Sequence, residues 1–81
     1  GVARSTLDAR PGDEALADAI RRELREDAST AGLIVHVEVR GGVAFLRGRV
    51  DDLEDADSAA EVASRVRGVR QVVEHLTVPE P

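Results

Sequence analysis

The 81-residue sequence has no cysteine, methionine, tryptophan, tyrosine, lysine or asparagine, and Phe45 is its only aromatic residue. Without cysteine there is neither a disulfide framework nor a thiolate metal site. All 11 basic residues are arginine, and 16 acids bring the net charge to −5. That balance argues against a general nucleic-acid binder. No apolar run approaches 18 residues, and the first 30 residues lack the apolar centre of a signal peptide, so the expectation is a soluble module. Hydrophobic residues make up 42% of the chain, but 12 of them are alanine, leaving 12 Val, 7 Leu, 2 Ile and Phe45. This supplies a core for two layers of secondary structure and is too thin for a large ligand cavity.

The opening segment, residues 1–12, has no periodicity and mixes Arg, Ser, Thr, Pro and Gly, which predicts a flexible arm or linker. Asp13 is a candidate N-cap for the helix that follows. Leu16, Ile20 and Leu24 recur at i, i+4, i+8 with Ala17 beside them, predicting an amphipathic helix over about 13–27. Asp18–Arg22 and Arg22–Glu26 are candidate ion pairs on its outer face. The run ASTAG over 28–32 should let it fray.

The strongest local pattern is LIVHVEVRGGVAFLRGRV, two alternating runs around Gly41-Gly42. A two-residue hairpin loop there pairs residues whose numbers sum to 83. Val39 then faces Ala44, Val37 faces Leu46 and Val35 faces Gly48, all on one side. Glu38 faces Phe45, His36 faces Arg47 and Ile34 faces Arg49 on the other. A slip of one residue would mix the two sets, so the pattern itself fixes the register.

Ala56, Ala59, Ala60, Val62, Ala63 and Val66 predict a second helix over about 53–67, with Gly68 as its left-handed C′ residue. Its small buried face should let it lie close to the sheet, with Gly48 leaving room for it. A last strand is expected over about 69–78, ended by Pro79. The order is therefore α-β-β-α-β, an α/β two-layer sandwich with both helices on one face of a three-stranded mixed sheet. The hairpin is antiparallel, and the crossover through the second helix makes the second and third strands parallel. The domain is read as 13–78, with 79–81 as a C-terminal tail.

These elements resemble the BON domain family (bacterial OsmY and nodulation). The resemblance rests on Gly42, Ala44, Leu46, Gly48 and Val50 in the second strand, on Ala59, Val62, Ala63, Val66, Gly68 and Val69 through the second helix, and on Val72, Glu74, Leu76 and Val78 in the last strand. Ala44 stands where the family usually has valine, and Glu74 where it commonly has asparagine. The matching positions Gly42, Leu46, Gly48, Val50, Ala59, Ala63, Gly68 and Val69 are structural. The resemblance implies a non-enzymatic module of a larger bacterial protein, of the envelope or periplasm or of stress responses, with the cytoplasm also open. It implies contact with anionic phospholipid or with a partner protein, and no cofactor.

The residues add a location. The sheet face away from the helices carries Ile34, His36, Glu38, Arg40, Val43, Phe45, Arg47, Arg49, Val73 and His75. The candidate interaction surface within it is Arg40, Val43, Phe45, Arg47, Arg49 and Val73, an apolar centre rimmed by arginine. Residues 40–49 hold three Arg and no acid, whereas 51–61 hold six acids and no base, so the molecule should be polarised. Neither helix is basic enough to bind a membrane. A partner protein or neighbouring domain is placed ahead of direct lipid contact because the net charge opposes anionic headgroups, and a monomer ahead of a dimer. The alternative function is sensing of a small ion or ligand, through the acidic run over 51–57 or through a His36/His75 pair. Asp51, Asp52, Glu54, Asp55 and Asp57 lack the glycine and terminal glutamate of a calcium loop, and acids there serve equally as helix caps. No nucleophile–base arrangement is present in the sequence, so no catalytic residue and no metal ligand is assigned.

Overall fold

The computed structural model describes residues 12–79. The arm expected over 1–12 lies, apart from Gly12, outside the described residues, and so does the tail beyond Pro79. The elements are α1 (Gly12–Glu26), β1 (Ile34–Arg40), β2 (Val43–Arg49), α2 (Leu53–Ser64) and β3 (Gln71–Thr77). The sheet order is β1-β2-β3, with β1 antiparallel and β3 parallel to the central β2. The hairpin register matches the pairing expected from the alternation, from Ile34 opposite Arg49 to Arg40 opposite Val43. Gly41 and Gly42 have φ of 58° and 84°. Positive φ at both loop positions is the geometry that follows the twist of the strands, and glycine reaches it without a Cβ clash.

One core joins the two layers. Ala17, Ile20 and Leu24 of α1 and Ala59, Val62 and Ala63 of α2 pack on Val37, Val39, Ala44 and Leu46. Ile20 and Leu46 are fully buried, each burial worth about 1.5–3 kcal/mol. Asp52 caps α2, its side chain accepting the Asp55 N–H at 2.9 Å, which is worth about 1 kcal/mol.

Several local expectations change. Asp13 is not the N-cap of α1. It lies inside the first turn and its carboxylate accepts from the hairpin loop, at 3.0 Å from Gly41 N–H and 3.4 Å from Gly42 N–H. Asp18 pairs with Arg21 at 2.7 Å, one residue before the expected partner. The end of α1 is tied down rather than frayed. Thr30 is 1% exposed and its hydroxyl donates to the Leu24 carbonyl at 2.7 Å, satisfying one of the acceptors a helix end leaves open. Asp27 beside it accepts from both the N–H and the hydroxyl of Ser29 and from Arg65.

Helix α2 ends at Ser64, so Gly68 is not its C′ residue. Gly68, at φ 103°, sits at the third position of a separate turn closed by Val69 N–H to Val66 O at 3.1 Å. Gly48 is required for a different neighbour than α2. A Cβ there would stand 2.7 Å from the Ile34 carbonyl oxygen of β1, and its φ is 143°.

A charged side chain also sits on each sheet edge. Arg21 Nη2 donates to the Val37 carbonyl of β1 at 2.9 Å, and Glu74 accepts the Leu76 N–H of β3 at 2.7 Å. Both occupy main-chain groups that another strand would otherwise use.

Candidate interaction face

The pairings place the outer face residue by residue. Its rows, read across the three strands, are Arg40–Val43–Gln71, Glu38–Phe45–Val73, His36–Arg47–His75 and Ile34–Arg49–Thr77. Strand alternation puts all of these side chains on the side away from the helices. The six residues singled out from sequence, Arg40, Val43, Phe45, Arg47, Arg49 and Val73, thus share one surface. Val43, Phe45 and Val73 are half-buried at its centre, and the three arginines are exposed around them.

Phe45 is not bare. The Arg40 guanidinium lies over its ring, 4.8 Å from the centroid, and the same side chain approaches Glu38 at 3.7 Å. The guanidinium covers an apolar ring while its charge stays at the surface. Ile34, 77% exposed, extends the apolar area at the β1 edge. The sequence identified each of these residues, but not the stacking, which depends on the twist of adjacent rows.

Charge is segregated between the layers. The outer face carries three arginines against Glu38 alone, whereas the remaining described residues carry 13 acids against six arginines. The domain is a dipole, with the uncovered sheet face as its basic side. The acids lie mostly on the helical layer, away from that face.

The two histidines do not meet. β2 lies between their strands, so His36 and His75 flank Arg47 with backbones about 10 Å apart, two strand spacings. In the acidic run, Asp52 is used as a helix cap. Among the described residues no group of three or more potential ligand side chains gathers around a common point. The ion-sensing alternative is left without a ligand set there.

A feature missed from sequence is an open groove of about 530 Å³ between the first turns of α1, the hairpin loop and residues 67–70. Leu16 and Ala19 form its apolar side, with Arg67 and Arg70 on its rim. The run RVRGVR over 65–70 was the available signal, but only the turn at Gly68 brings it beside α1.

The BON domain family model matches residues 12–80, a span that takes in all the described residues. The chain belongs to the BON domain family. No curated protein matches the chain. BON domains are in general non-catalytic interaction modules. In this BON domain the family positions Gly42, Leu46, Gly48, Val50, Ala59 and Ala63 build the hairpin and the core. Among the described residues no helix is long and apolar enough to cross a membrane.

Proposed function

We propose that this BON domain attaches its parent protein to anionic phospholipid surfaces through the outer sheet face. The observation that carries the reading is the segregation of charge, with Arg40, Arg47 and Arg49 around a half-buried apolar centre on one layer and most acids on the other. Near an anionic membrane each basic residue contributes about 1 kcal/mol, and the acidic layer is repelled, so attraction and orientation favour the same pose. Such contact is weak and salt-sensitive, which suits a module that works beside other domains.

The test is flotation with phosphatidylglycerol vesicles. The double variant Arg47→Glu/Arg49→Glu should lose binding, because four units of charge change on the docking face. Arg22→Glu, on the exposed side of α1, should bind much as the parent does. Loss of binding in neither variant would refute the sheet face as the contact.

A further inference from the structure

The row His36–Arg47–His75 crosses the centre of the uncovered face. We infer that docking of this face on an anionic surface is coupled to proton uptake by His36 and His75, so that attachment tightens as the pH falls. The inference rests on the attachment reading above and adds its regulation.

The geometry supplies the coupling. Both histidines are exposed and stand in one row on either side of Arg47. His36 has Ile34 and Glu38 along its own strand, Arg47 across, and Phe45 and Arg49 on the diagonals. His75 has Val73 and Thr77 along its strand and the same three β2 neighbours. Among the described residues Glu38 is the only acid on the face, and it is 3.7 Å from Arg40. No described helix or strand packs over the row, since both helices lie on the other side of the sheet.

Against a layer of phosphates a positive charge on either imidazole gains an attraction that water does not supply. Imidazole is the side chain that ordinarily changes charge between pH 8 and 5, so the effect falls in an accessible range. Protonation of both raises the net charge of the face from three arginines against one glutamate to five cations against one. By linkage, a surface that favours the protonated face is itself bound more tightly by it. Two added cations, each strengthening binding about fivefold, give on the order of twentyfold between about pH 7.5 and 5.5.

The experiment is vesicle co-sedimentation with phosphatidylglycerol, whose phosphodiester stays ionised over this range, at both pH values. The parent domain is compared with His36→Gln/His75→Gln and with each single variant. The expected result is a tightening of on the order of twentyfold for the parent, about fivefold for each single variant, and little change with pH for the double variant. Equal affinity of the parent at both pH values overturns the coupling and leaves the attachment reading standing. Equal tightening of parent and double variant also overturns it. Absence of binding at either pH overturns both.

Discussion

The carboxylate of Asp13, in the first turn of α1, accepts the backbone N–H of Gly41 at 3.0 Å across 28 residues of chain. Its second oxygen faces the Gly42 N–H at 3.4 Å, and on the other side Arg70 N–H donates to the Gly42 carbonyl at 2.8 Å. The hairpin loop is thus held by both the first helix and the lead-in to β3. Asp13→Ala should cost about 1–2 kcal/mol in urea unfolding, since a charge-assisted bond and a favourable helix-dipole contact go together. Amide exchange at Gly41 and Gly42 should quicken more than at Leu46. An unchanged midpoint would show that the contact contributes nothing.

Gly48→Ala should destabilise by about 2–3 kcal/mol, because the new Cβ meets a backbone oxygen that cannot move without breaking the hairpin. Gly32→Ala, where nothing lies within 4 Å, is the matched control and should be near neutral. Equal effects of the two changes in thermal unfolding would contradict the close approach of β1.

The contrast between these glycines marks what the sequence could and could not disclose. The hairpin was legible because alternation and a Gly-Gly loop are local and leave a single register that separates the faces. The α-β-β-α-β order followed from periodicity alone. The reason for Gly48 was not legible, since the distance from β2 to the Ile34 carbonyl depends on how the sheet curves. Asp13 and Thr30 were assigned to local roles, and their partners lie across the fold or beneath it. The separation of His36 from His75 needed the strand order, which no short stretch of sequence specifies. The end of α2 also escaped, because RVRG can continue a helix and the turn is decided by packing around Leu16.

A pH effect is expected from Asp27. Its carboxyl is held below the ordinary value of 3.8, chiefly by the Ser29 hydroxyl, then by the Ser29 N–H, with the Arg65 guanidinium adding to both. A lowered pKa in the folded state means that ionised Asp27 favours folding. That contribution is complete above about pH 5 and is lost as the pH falls through the folded-state value. Ser29→Ala should bring the titration midpoint back toward 3.8 and remove part of the acid-side loss, as read by carboxyl NMR titration and acid unfolding. A midpoint that does not move would mean the hydroxyl is not the main cause.

The most direct measurement is an amide NMR titration of the labelled domain with phosphatidylglycerol vesicles, at low and physiological salt, beside a phosphatidylcholine control. Attachment through the outer sheet face should broaden the amides of Arg40, Phe45, Arg47, Arg49 and His75, reversibly with added salt and only with the anionic lipid. Broadening centred on α1 or α2, or a spectrum unchanged at both salt levels, would contradict it.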